Sequence, residues 1–118
     1  MRVLTETECL TAMEKGDFDL PELTGRKADA KAAVVLTQSW CPQWKAMKSY
    51  LPDVEKSLPD LKIFYIEYDL ASFCDEFMAF KENTFGNREI PYVRYYMDGK
   101  CKSWSNFVSL EGFLHRFA

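Results

Sequence analysis

Cys41 sits between an apolar run, Ala33-Val34-Val35-Leu36, and a stretch with helical spacing, within Ser39-Trp40-Cys41-Pro42-Gln43-Trp44-Lys45. At such a strand-to-helix junction, free backbone N–H groups and the helix dipole stabilise a thiolate, the nucleophilic form of cysteine. The chemistry open to it is thiol–disulfide exchange: attack on a disulfide sulfur to give a mixed disulfide. The position that would complete a Cys-x-x-Cys pair holds Trp44, so no second sulfur stands ready to release the product. Of the four cysteines, Cys9, Cys41, Cys74 and Cys101, Cys41 is expected to be alkylated first at neutral pH.

The elements that must place this sulfur follow from periodicity. Met1 to Leu4 reads as a short strand, and Thr5 with Glu8 forms a capping box for a helix that stops at Gly16. Cys9 lies on that helix's apolar stripe and reads as a small core residue. Residues 17–31 read as a surface loop holding one helical turn, tethered by Phe18, Leu20 and Leu23. Ala32 to Gln38 is a continuous apolar run, the mark of a strand buried on both faces. Pro42 suits a first helical position. Trp44, Met47, Leu51, Val54 and Leu58 then repeat at helical spacing, with Pro52 expected to kink the helix. Leu61 to Tyr68 reads as the next strand, and Asp69 or Ser72 as the cap of a helix carrying Phe73, Phe77 and Phe80. Asp98-Gly99 marks a hairpin between Tyr92–Tyr96 and Lys100–Phe107, and Ser109 caps a last helix. The order is β-α-β-α-β-α-β-β-α in one domain spanning residues 1–118. Its strands joined through helices are expected to run parallel, with an antiparallel C-terminal hairpin and helices on both sheet faces. Ligands of such sheets gather at the carboxyl ends of the parallel strands, where Cys41 lies.

Bulk composition narrows the function. The chain has 118 residues, 47% of them hydrophobic, with nine Phe, six Tyr and three Trp to fill a core. Its formal charge is −3 and it has no Lys/Arg block, which speaks against a nucleic-acid partner. No apolar run approaches the roughly 20 residues needed to span a bilayer. The N-terminus reaches acidic residues too early for a signal peptide, so a cytoplasmic protein with reduced cysteines is expected. His115 is the only histidine and the cysteines are dispersed, so no metal site is expected.

Three pieces of sequence resemble the thioredoxin family, over about residues 32–118. The strand leading into Trp40-Cys41-x-x-Trp44-Lys45 is similar to the family's Trp-Cys-Gly-Pro-Cys-Lys. Phe85-Gly86-x-Arg88-x-Ile90-Pro91 is similar to its Tyr-Gly-Ile-Arg-Gly-Ile-Pro, whose proline is cis and faces the active cysteine. The Asp98-Gly99 hairpin and closing helix complete the match. The resemblance implies a thioredoxin-like α/β fold with a mixed sheet. The departures are equally specific. Trp44 replaces the resolving cysteine, and Val35 replaces a buried Asp that helps move protons during resolution. Cys41-Pro42 is closer to the Cys-Pro-Tyr of glutaredoxins. Tyr92 stands where Thr usually follows the cis-proline, and Asn106-Phe107 occupies the region of a glycine on the family's substrate surface.

Three readings follow. In the first, the protein is monothiol: Cys41 forms a mixed disulfide with a protein or peptide partner, or with glutathione as co-substrate, and an external thiol resolves it. Ile90 and Pro91 would align the partner as an extended strand, Pro42 would start the helix beside it, and Trp40 and Trp44 would wall the groove. In the second, the chain is a redox-inactive binding module using Trp40, Trp44, Tyr92 and the cis-Pro91 edge as an apolar patch. In the third, Cys74 resolves, against the simpler reading of Cys74 as packing beside Phe73 and Phe77. The retained Trp40-Cys41-Pro42 and Ile90-Pro91 favour the first.

Overall fold

The computed structural model describes residues 1–25 and 31–117. Strands β1 (Arg2–Val3), β2 (Ala32–Thr37), β3 (Lys62–Glu67), β4 (Tyr92–Met97) and β5 (Lys100–Ser105) form one sheet in the order β1-β3-β2-β4-β5. Helices α1 (Glu6–Lys15), α2 (Leu20–Thr24), α3 (Pro42–Ser57), α4 (Cys74–Ala79) and α5 (Leu110–His115) cover it. β2 is buried along its whole length, as its unbroken apolar run requires. Its alternate residues serve two cores. Ala32, Val34 and Leu36 pack with Cys9, Leu20 and Phe77 from α1, α2 and α4, while Ala33 and Val35 pack with Met47, Leu51 and Phe113 from α3 and α5.

Local signals set several boundaries. The Thr5–Glu8 capping box forms in both directions, and Gly16 ends α1 at φ 85°. Asp98 and Gly99 both take positive φ, 56° and 76°, as a tight hairpin turn between right-twisted strands demands. β5 ends at Ser105, short of the Phe107 that its composition suggests. α3 is one helix that continues through Pro52 to Ser57.

β4 departs from the expected parallel run. β1, β3 and β2 are parallel, but β4 is antiparallel to β2, with Tyr92 opposite Leu36 and Tyr96 opposite Ala32. The connections into β3 and β4 (residues 38–61 and 68–91) are equally long but differ in how much of each is one continuous helix. The sixteen residues of α3 rise about 24 Å, enough to return past a six-residue strand of about 20 Å. The six residues of α4 rise only about 9 Å, and the five-residue π turn after it (Phe80–Thr84) adds less than another 8 Å. The chain enters β4 at the end where β2 leaves, and this puts Ile90–Pro91 in front of Cys41.

The expected loop at 17–31 contains more structure than its composition suggests; residues 26–30 lie outside the described residues. Asp19 caps α2 by accepting from the Glu22 N–H, and Phe18, Leu20 and Leu23 are buried. Asp17 binds this excursion to the sheet. Its carboxylate accepts from Arg94 Nη2 at 2.9 Å and from the Tyr96 hydroxyl. Arg94 also donates to the Tyr92 and Tyr96 hydroxyls and lies 3.9 Å from the Phe85 ring centroid. Asp17→Ala would leave a guanidinium with only 12% of its side chain exposed without its anion. We expect it to destabilise the fold by about 2 kcal/mol, the range of a charge-assisted hydrogen bond, measured by urea unfolding at constant m-value.

Candidate functional site at Cys41

Cys41 is the N-cap of α3, with extended backbone (φ −69°, ψ 118°) and Pro42 behind it as the first helical residue. The loop that delivers it is braced from the 3-10 turn Tyr68–Leu70. The Ser39 N–H donates to Asp69 Oδ1 at 2.7 Å, and the Ser39 hydroxyl donates to the other carboxylate oxygen. Gln38 Nε2 donates to the Tyr68 hydroxyl, and Trp40 Nε1 donates back to Gln38 Oε1 at 2.6 Å. Asp69 is therefore not the helix cap that its position suggests. α4 begins after Phe73 without a side-chain cap, and the Asp69 carboxylate is committed to Ser39, thirty residues earlier. The Cys41 sulfur lies 3.9 Å from the Ile90 carbonyl oxygen, and the residue is 4% exposed. The Ile90–Pro91 peptide bond is cis.

Trp44 does not wall a groove. It is fully buried, its Nε1 donates to Glu67 Oε2 at 2.8 Å, and its ring lies 5.4 Å from that of Tyr65. Lys48 Nζ stands 3.6 Å from the same Glu67 oxygen. The cause is helix phase: Trp44 opens the stripe continued by Met47, Leu51 and Val54, all buried, so the packing of those three turns the indole inward. Val35 packs in the same core cluster as Cys41 and Trp44. Tyr92, the other expected patch residue, is 1% exposed and packs on the opposite core, and Pro91 is buried. The rim open to solvent is smaller: Trp40 at 59% exposure and Pro42, with Ile90 half-buried behind them.

All four cysteines are free thiols. Burial pushes Cys9 up to about 12, helped by Glu8 and Glu6. Cys74 is raised by burial and then by Asp75, Asp69 and Glu76; Cys101 is raised chiefly by burial. Cys74 and Cys101 pack against the α1/α2/α4 core, whereas Cys41 belongs to the α3/α5 core. The sheet stands between them, so the structure does not bring Cys74 to Cys41 as a resolving thiol.

The loop before β4 is held by residues whose partners composition does not announce. The π turn closes with the Phe85 N–H on the Phe80 carbonyl, and Gly86 follows at φ 71°. Lys81, 1% exposed, donates from Nζ to the Asn87 carbonyl at 2.9 Å and lies over the Tyr92 ring. Asn87 and Asn106 exchange side-chain amide hydrogen bonds at 3.2 and 3.0 Å, and Asn106 Nδ2 also donates to the Pro91 carbonyl at 3.0 Å. Phe107, next in the chain, is 44% exposed beside this wall. A lysine defaults to solvent, so only the three-dimensional packing reveals this one.

Burial lowers the Lys81 amine to about 8 from the ordinary 10.5, against the opposing pull of Glu82 and Glu89. Below pH 8 both folded and unfolded chains hold this proton and the burial penalty is fully present. Between about pH 8 and 10.5 only the unfolded chain holds it, so stability from this group rises with pH. The unfolding free energy of wild type minus that of Lys81→Met should therefore grow across that interval. Chemical denaturation of both proteins along a pH series checks it; a flat difference would mean that the amine is solvated.

Other sites offer less. An open pocket of about 470 Å³, lined by Arg2, Leu23, Glu55, Leu61 and Phe64, lies at the opposite end of β3 from Cys41. Among the described residues, no group of three or more His, Cys, Asp or Glu side chains is placed to hold a metal ion. No helix among them is long and apolar enough to cross a membrane.

No family model matches the sequence, and no curated protein matches it. Solved structures do match the fold. Oxidised thioredoxin O2 from Arabidopsis thaliana is similar with a TM-score of 0.66 at 15% identity, over 97% of this chain and 90% of that one. Thioredoxin from Fasciola hepatica is similar with a TM-score of 0.65 at 17% identity, over 100% of both chains. Oxidised thioredoxin from Plasmodium falciparum gives 0.63 at 11% identity, over 100% and 98%. At these identities the likeness concerns the fold.

Proposed function

We propose that this chain, a thioredoxin-like fold, is a monothiol protein of thiol–disulfide exchange in a reducing, cytoplasmic setting. The Cys41 thiolate attacks one sulfur of a partner disulfide, in a protein, a peptide or glutathione disulfide. A Cys41–partner S–S bond forms as the old S–S bond breaks, and the other sulfur leaves as a thiolate that takes up a proton. An external thiol, glutathione or another, then attacks the mixed disulfide and returns Cys41 reduced. The observation that carries this reading is selective placement of the sulfur. Among the four cysteines, Cys41 is the one at the N-cap of the sixteen-residue helix α3, and its sulfur faces the Ile90 carbonyl. Val35 and the Trp44–Glu67 pair occupy the ground where an internal resolving step would need a second sulfur and a proton carrier. The binding-module reading keeps exposed Trp40 but loses Trp44 and Tyr92 to the interior.

The test is to expose the reduced protein to limiting glutathione disulfide and map adducts by peptide mass spectrometry. The first adduct should fall on Cys41 and be released by added glutathione. Adducts appearing first on Cys74 or Cys101 would overturn the reading.

A further inference from the structure

We infer that Lys81, Asn87 and Asn106 are positioning residues that hold the Ile90–Pro91 wall at its working distance from the Cys41 sulfur for an extended peptide partner. The inference rests on the monothiol reading and names how that site receives its partner.

Ile90–Pro91 belongs to the connection between the π turn and β4, and its Ile90 carbonyl faces Cys41 at 3.9 Å. A partner strand laid along this edge takes its register from backbone groups, so their position decides whether the partner's sulfur meets Cys41. Loops of this kind are mobile unless tied down. Here the ties come from behind. Lys81 and Asn87 are joined twice: Lys81 Nζ donates to the Asn87 carbonyl, and the Asn87 N–H donates to the Lys81 carbonyl at 3.3 Å. The Asn87 side chain is locked to Asn106 by the reciprocal amide pair, and its Oδ1 also accepts from the Glu89 N–H at 3.0 Å. Asn106 then closes the path on the Pro91 carbonyl. The network thus runs from a buried amine to the residue next to Ile90.

Stability alone does not account for this choice. A buried amine 1% exposed with one carbonyl acceptor carries a desolvation cost that a methionine of similar length would avoid. What the polar groups add over apolar packing is direction, because a hydrogen bond specifies a position and an apolar contact tolerates slippage. The π turn fits the same role: it widens the end of the helix by one residue, so that the Lys81 carbonyl is free to accept from Asn87.

The experiment compares two probes on wild type, Lys81→Met, Lys81→Arg and Asn106→Asp. One probe is an extended peptide carrying a cysteine activated as a thionitrobenzoate mixed disulfide; the other is iodoacetamide, which needs no wall. Asn106→Asp keeps the side-chain shape while removing the amide donors to Asn87 and Pro91. We expect Lys81→Met, which loses one hydrogen bond, to slow peptide capture at Cys41 by about tenfold, and Asn106→Asp, which loses two, by about tenfold or more. Iodoacetamide labelling of Cys41 should stay within about twofold, and Lys81→Arg should recover part of the peptide rate. Equal slowing of both probes, or no slowing of either, would overturn the positioning role while leaving Cys41 chemistry intact. Absence of peptide capture by wild type would remove the monothiol reading, and the positioning role with it.

Discussion

Trp44→Ala is expected to lower the unfolding free energy by about 3–5 kcal/mol, the range for truncating a buried tryptophan. The indole is fully buried, lies tilted against the Tyr65 ring and gives its N–H to Glu67, so truncation opens a cavity and leaves a half-buried carboxylate with Lys48 alone. Trp40→Ala, at 59% exposure, should change stability by less than about 0.5 kcal/mol. Guanidinium unfolding of the two variants separates floor from rim. Near-equal effects would mean that Trp44 is not the floor of the site. The same comparison bears on engineering a second thiol. Trp44→Cys places a sulfur at the right spacing from Cys41, but it also removes most of an indole from the α3/α5 core, so activity gained would come with stability lost.

The contrast between Trp40 and Trp44 illustrates what local sequence encodes. Trp44 lies on the stripe with Met47, Leu51 and Val54, and helical periodicity alone places it inside. Only its position in a redox-like motif suggests a partner-facing role, and the packing of the stripe overrides that suggestion. Signals confined to a few residues translate directly into structure: the Thr5–Glu8 capping box, the Asp98–Gly99 turn and the doubly buried run of β2. The connection into β4 is broken into a 3-10 turn, α4 and a π turn instead of one long helix, and the π turn has no compositional mark. The partners of Asp69 and Glu67 lie on segments thirty and twenty-three residues away, so their roles in bracing Ser39 and anchoring Trp44 depend on strand register that no local pattern states. Lys81 is hidden for a different reason: its residue type defaults to the surface, yet it lies buried within the π turn.

Cys41→Ser should abolish covalent capture of disulfide partners and at the same time leave the protein as stable as wild type or more so. Serine is among the best N-cap residues, because its hydroxyl accepts from the first free N–H groups of the helix. Cys41 holds that position and makes no side-chain cap bond. A serine there gains a cap, and its hydroxyl can donate to the Ile90 carbonyl that the sulfur now faces at 3.9 Å. A gain of roughly 0.5–1 kcal/mol is expected from the cap, seen as a shift of the denaturation midpoint. The two readouts together distinguish chemistry from packing. If the sulfur is kept for its nucleophilicity, the residue that would cap α3 best has been given up for it, and replacing it removes reaction while restoring stability. If the sulfur is kept for packing alone, loss of its apolar contacts in the α3/α5 core should outweigh the cap and lower stability, and covalent capture should already be absent in wild type.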